Sequence, residues 1–169
     1  IPYMLKNGFK MYAYRFDGYW KDVGTITSLW EANMDLLGEH PAINLNEPEM
    51  KIYSRNEPLP PTYFGKQSFV ENSIITTGCE IEGTILGSVI SENVCVGEGS
   101  VIENSVIMRD VRIGKNVHIK YGIVDESVCI GDDVYIGDEK SDKNHIALIG
   151  RDSVVENGTK IASGEIVEK

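Results

Sequence analysis

Three consecutive stretches decide the fold: VCVGEGSVIENSVIMRD (residues 94–110), VRIGKNVHIKYGIVDES (111–127) and VCIGDDVYIG (128–137). Laid beneath one another they align at a period of 17 residues. Val94, Val111 and Val128 share one column. Val96, Ile113 and Ile130 share another, each followed by glycine. Ile102, Ile119 and Ile136 form a third. Val106 with Ile123, and Ile107 with Val124, form two more, preceded by the small residues Ser105 and Gly122. The same period carried upstream places Cys79 with Val96, Ile85 with Ile102, Ser88 with Ser105, and Val89 and Ile90 with Val106 and Ile107. Downstream the pattern breaks within residues 137–145, restarts at Ile149-Gly150, and continues through Val155 and Ile161.

Self-similarity at a fixed period marks a stacked-repeat architecture. Within each repeat an aliphatic returns about every six residues, with small or polar residues between. That spacing gives short strands joined by tight corners, three to a turn. Successive turns would stack at the inter-strand distance of about 4.7–4.9 Å, so that equivalent aliphatics form columns inside a triangular prism. One coil cannot bury its own apolar edge, so several must stack. From Thr62 onward the chain has 30 Val or Ile in 108 residues and only two Leu, Leu86 and Leu148, a strand-forming bias. The expectation is a parallel β-helix over residues 63–169 with five or six coils.

The first part has a different composition. All six prolines lie at or before Pro61, and 11 of the 14 aromatics lie at or before Phe64. Residues 10–16 alternate Tyr12, Tyr14 and Phe16 against Met11, Ala13 and Arg15, which predicts a strand with one aromatic face. Asp17-Gly18 predicts a turn. Thr25 or Thr27 is placed to cap a helix that runs to about Leu37 and stops at Gly38. Residues 39–62, with Pro41, Pro48, Pro58, Pro60 and Pro61, read as a semi-rigid linker. Residues 1–38 are too few to enclose a core and read as the small α/β end of a larger domain, an impression reinforced by a first residue that is not Met.

The chain carries 26 acidic against 16 basic residues, a formal net charge of −10, with no Lys/Arg cluster. This disfavours nucleic acid and anionic membrane surfaces as partners. No apolar run nears the roughly 20 residues of a membrane span, and no basic-then-apolar leader opens the chain. Cys79, Cys95 and Cys129 are odd in number and without a CxxC pair, which argues against disulfides or structural zinc. They are expected to be reduced and to pack as small apolar residues in a cytoplasmic protein.

The repeat resembles the hexapeptide family, whose coils form a left-handed parallel β-helix. The handedness is what the resemblance implies, because the general crossover rule would give the opposite hand. Many hexapeptide proteins are acyltransferases with a histidine general base. His118 should point outward by alternation, and a surface role is favoured over a catalytic one. His40, His118 and His145 do not make the histidine trio that a metal-dependent hydratase would need. The prism reads as an oligomerising module.

The segment Gly18-Tyr19-Trp20-Lys21-Asp22-Val23-Gly24-Thr25 is more specific. Aromatics stack on sugar rings and a carboxylate at a strand end can hold Mg²⁺. The alternative is two core aromatics and a solvated Asp. Continued into SLWEANMDLL at residues 28–37, the run resembles the end of the catalytic domain of bacterial glucose-1-phosphate adenylyltransferases (ADP-glucose pyrophosphorylases). The order of parts is similar too: domain end, proline-bearing linker, β-helix. The resemblance implies an enzyme that joins ATP and glucose 1-phosphate into ADP-glucose and pyrophosphate for glycogen synthesis, as a homotetramer regulated by metabolites between its domains. It implies that Asp22 is one of two aspartates holding Mg²⁺, and that Tyr19 and Trp20 line the sugar-phosphate side. Gly24 would pack closely beneath the site, whereas Lys21 could simply be solvated. Residues 39–75 would face the domain interface, with Lys51 and Arg55 as possible anion contacts, and Trp30 and Phe16 would be exposed without the rest of that domain. No glycine-rich nucleotide loop precedes Asp22, so these 169 residues by themselves are expected to be inactive. Another sugar nucleotidyltransferase, or a hexapeptide acyltransferase or scaffold, are the competing readings.

Overall fold

The structure, a computed structural model, describes residues 1–45, 47–49, 51–53, 58–138 and 141–168. Eighteen short strands form three parallel six-stranded sheets. The first sheet runs Tyr63–Phe64, Glu80–Ile81, Cys95–Val96, Arg112–Ile113, Cys129–Ile130 and Val154–Val155. The second runs Phe69–Glu71, Thr84–Leu86, Val101–Glu103, His118–Lys120, Tyr135–Ile136 and Lys160–Ile161. The third runs Ile74–Ile75, Val89–Ile90, Val106–Ile107, Gly122–Val124, Ala147–Ile149 and Ile166–Val167. Every coil contributes one strand to each sheet, giving a six-coil parallel β-helix.

The columns read from the repeat are the core. Ile85, Ile102, Ile119, Ile136 and Ile161 stand in register through the second sheet and are nearly sealed from solvent. Burying each such side chain stabilises the fold by about 1.5–3 kcal/mol. The corners are built from residues in the left-handed backbone region, where short polar side chains are tolerated. Asn93, Asp110, Ser127 and Asp152 occupy one corner of successive coils, and Asn116 and Asp133 another. Their side chains bond from coil to coil: Asn93 Nδ2 donates to Asp110 Oδ1 at 2.7 Å, and Asn116 Nδ2 to Asp133 Oδ1 at 3.2 Å. At the third corner the small residues form a serine ladder. The Ser88 hydroxyl accepts from the Ser105 backbone N–H at 3.0 Å, and the Ser105 hydroxyl accepts from Gly122 N–H at 3.0 Å. Each hydroxyl donates in turn to a carbonyl two residues back, Leu86 or Glu103. Buried corner amides that no strand could pair are satisfied in this way.

Two coils depart from the common length. Ile81, not Cys79, lies beneath Val96, and Glu80 pairs with Cys95, a step of 15 residues. Cys79 instead belongs to the Val94 level, because Glu80 N–H bonds the Val94 carbonyl while Tyr63 N–H bonds that of Cys79. The expected alignment of Cys79 with Val96 is therefore corrected. The corner Glu82-Gly83 is two residues short, and a Cβ on Gly83 would lie 2.4 Å from the Ser100 carbonyl oxygen, so only glycine fits the shortened path. Further down, Tyr135 pairs with Lys160, a step of 25 residues, and the extra length is the insert seen as the break in the pattern. It returns Ile146 to the outside of the third sheet.

The cysteines also differ from expectation. Cys79 is interior, but Cys95 is half-buried and Cys129 exposed. Each of these two precedes an inward residue, Val96 or Ile130, and strand alternation turns it out.

The third sheet explains where the N-terminal part goes. Its strands are apolar on both faces, and the outward residues Val106 and Ile123 are 2% and 0% exposed. They are covered by helix α2 (Ile26–Met34). Thr25 caps it with Ser28 in a reciprocal capping box, and Gly38 follows with φ +96°. Trp30 seats the helix: it is 8% exposed, its indole Nε1 donates to the Asn104 carbonyl at 2.7 Å, and its ring lies 5.5 Å from that of Tyr121. Tyr121 itself has φ 49°, a left-handed conformation costing a bulky residue about 1–3 kcal/mol, and this position sits under the helix. Trp30 is thus buried against the prism, contrary to expectation, whereas Phe16 is exposed.

Residues 10–16 form no strand, since no neighbouring strand is there to bond them, and Tyr12 and Tyr14 are exposed. A short helix α1 (Pro2–Lys6) precedes them with no buried residue. The prolines near the prism lead directly into it, with Gly78 N–H bonding the Pro60 carbonyl. No helix among the described residues is long and apolar enough to cross a membrane.

Candidate functional site

Residues 19–22 alternate in what they touch. The Tyr19 hydroxyl donates to Asp35 Oδ2 at 2.9 Å. The Lys21 ammonium donates to the same oxygen at 2.8 Å and also pairs with Glu31 Oε2 at 3.2 Å. Trp20 and Asp22, between and after them, are exposed. One side of the segment is therefore gripped by α2, and the other faces solvent with an indole and a carboxylate. Lys21 is paired, not merely solvated. Glu31 and Asp35 were missed in the sequence. The signal was there: two acids four apart share one face of a helix, and a lone lysine precedes it.

The charges reinforce one another. The hydrogen bond from Lys21 holds the Asp35 carboxyl below its usual range, and the bond to Asp35 raises the Lys21 ammonium. Partial desolvation, followed by the bond to Asp35, raises the Tyr19 phenol.

Asp22 Oδ1 accepts from the Gly24 N–H at 3.1 Å, and a Cβ on Gly24 would sit 3.3 Å from that oxygen. Its Oδ2 has no hydrogen bond among the described residues and is a hard oxygen donor. Mg²⁺ is commonly held by one or two carboxylates together with substrate phosphates, so a single Asp fits it as one ligand. No group of three His, Cys, Asp or Glu among the described residues could hold a metal by itself. Asp22 would have to share the ion with phosphate oxygens and with other carboxylates.

The other candidates lie apart. His118 is exposed and stacks on Tyr135, ring centroids 4.9 Å apart. His145 bonds Asp142 at 2.9 Å on the insert. Lys51 is exposed, and Arg55 lies outside the described residues.

A hexapeptide-repeat β-helix that seats the end of a nucleotidyltransferase-like segment is the class this geometry defines. Residues 61–155 match the family described as GlmU-like, C-terminal hexapeptide, and the chain belongs to it. Residues 1–39 match the nucleotidyl transferase family. The chain is 43% identical over 176 aligned positions to a glucose-1-phosphate adenylyltransferase of Fervidobacterium nodosum, covering 99% of this chain and 42% of that protein. It is 48% identical over 114 positions to proteins of the same name from Bacillus thuringiensis and Bacillus anthracis, covering 68% of this chain and 30% of each. The chain thus spans less than half the length of the curated relatives it matches. The left-handed β-helix expected after a small α/β part agrees with the mainly β, six-coil solenoid found here.

Proposed function

We propose that this chain is the C-terminal portion of a glucose-1-phosphate adenylyltransferase, making ADP-glucose and pyrophosphate from ATP and glucose 1-phosphate for α-glucan synthesis. The observation that carries this reading is the likeness to enzymes of that name along 99% of the chain, Asp22 and its flanking segment included. In the reaction the sugar-phosphate oxygen attacks the α-phosphorus of ATP in line, and pyrophosphate leaves. Such a transfer depends on positioning and on neutralising charge. Mg²⁺, when bound, supplies the charge neutralisation on the phosphates. Asp22 is the residue here that would hold it. Trp20, exposed beside Asp22, and the ring of Tyr19 offer apolar surface to the sugar. The β-helix serves homo-oligomer formation, a tetramer in the assembled enzyme, and regulation, and the protein works in the cytoplasm.

The full-length protein that contains these residues, incubated with glucose 1-phosphate and each nucleoside triphosphate, is expected to release pyrophosphate with ATP above all others. Preference for another nucleotide moves the reading to a different sugar nucleotidyltransferase. No release with any nucleotide refutes it. The 169-residue chain by itself is expected to make no ADP-glucose.

A further inference from the structure

Asp35 is oddly placed for a helix residue. It is the C-cap of α2, where a carboxylate opposes the helix dipole, and the last turn holds no basic residue to offset it. Helix stability therefore does not account for it. What Asp35 does is collect two donors from one stretch of chain, the Tyr19 hydroxyl at 2.9 Å and the Lys21 ammonium at 2.8 Å, both on Oδ2. Residues 19 and 21 share a side of an extended segment, so the grip leaves residues 20 and 22 on the other. The helix that supplies Asp35 is itself fixed to the prism through Trp30 and Asn104. A continuous set of contacts thus runs from the β-helix, through α2, to the backbone that carries Asp22.

We infer that Asp35 is a positioning residue: through Tyr19 and Lys21 it holds the segment so that Trp20 and Asp22 are presented together on its free side. This rests on the functional reading above for its catalytic consequence, but not for the positioning itself. Glu31 serves as a second, longer anchor for Lys21.

Two readouts separate the levels. In the 169-residue chain labelled with 5-fluorotryptophan, Trp20 and Trp30 give distinct ¹⁹F resonances, assigned by W20F. D35N is expected to shift and narrow the Trp20 signal and to leave the Trp30 signal in place. Addition of K21M to D35N should change little more, because both act through one contact. An unchanged Trp20 signal overturns the inference. So does an equal change at Trp30, which would mean that Asp35 only supports the helix. In the full-length protein, D35N should raise the Mg²⁺ concentration needed for half-maximal rate by about tenfold, the usual scale for loss of an outer-shell partner, with D35E restoring part of it. A Mg²⁺ dependence equal to that of the wild type overturns the link to Asp22. Absence of any nucleotidyl transfer in the wild type refutes the functional reading while the ¹⁹F result still decides the positioning.

Discussion

Ile119 and Tyr14 are both bulky side chains on segments that the sequence marks as strand-like. Ile119 is 1% exposed, with Ile102 and Ile136 in register on either side, while Tyr14 is 89% exposed and has no hydrogen-bond or ring partner among the described residues. The local pattern is equally regular in both places. The difference is that a repeat brings its own partner: each coil of the β-helix finds in the next coil the strand it must pair with and the aliphatic it must cover. The alternation at residues 10–16 calls for a sheet that these residues do not contain. Between the two lies α2, which has no strand to pair with but finds an apolar face already made.

The contrast can be tested by substitution. The largest effect is expected inside a column. I119A should destabilise the β-helix by about 2–5 kcal/mol, read by denaturant unfolding, because its neighbours above and below cannot collapse into the space. An effect below about 1 kcal/mol would mean that the columns are not the core. W30A comes next, with a loss of roughly 3–5 kcal/mol in the seating of α2. It should appear as protease cleavage within residues 9–38 while the prism's own unfolding midpoint barely moves. Joint loss of both would show helix and prism to be one cooperative unit. S105A should cost about 1–3 kcal/mol, because the Gly122 amide is left buried without its acceptor.

A weaker effect is expected from pH, and only at the grip on residues 19–21. The Asp35 carboxyl is held below its unfolded value of about 3.9, so its contribution is complete above that value and is lost as the pH falls through the lower folded one. Lys21 is raised, so its share is complete below about 10.4 and is lost only as the pH rises beyond its folded value. Acid should therefore release Trp20 and leave the prism standing, as followed by acrylamide quenching with W30F as a control. Equal quenching at pH 3 and pH 7 would contradict this. The smallest effect belongs to Y14A, expected within about 0.5 kcal/mol of zero in the same unfolding experiment.

The β-helix was legible because its 17-residue period repeats three times without interruption, at Val94, Val111 and Val128. Cys79 was misaligned because a period detects spacing, whereas the shortened Glu82-Gly83 corner changes spacing without changing the walls. The burial of Trp30 was missed although the third sheet announces it. Val89-Ile90, Val106-Ile107 and Ile123-Val124 are apolar on both faces, and a strand apolar on both faces must be covered on both. At the candidate site, Asp22, Trp20 and Tyr19 were visible as residue types. Their separation into a held side and a free side was not, because it depends on Asp35, a residue 16 positions from Tyr19 with no motif to single it out.

One corner of this prism has lost two residues and another has gained eight, yet the walls on either side keep their pairing. The walls behave like a screw thread of constant pitch, and the corners like interchangeable fittings between its flights. A lineage can therefore try new surface at a corner, one fitting at a time, without renegotiating the thread. The loop bearing His145, which emerges beside the seat of α2, is such a trial in place.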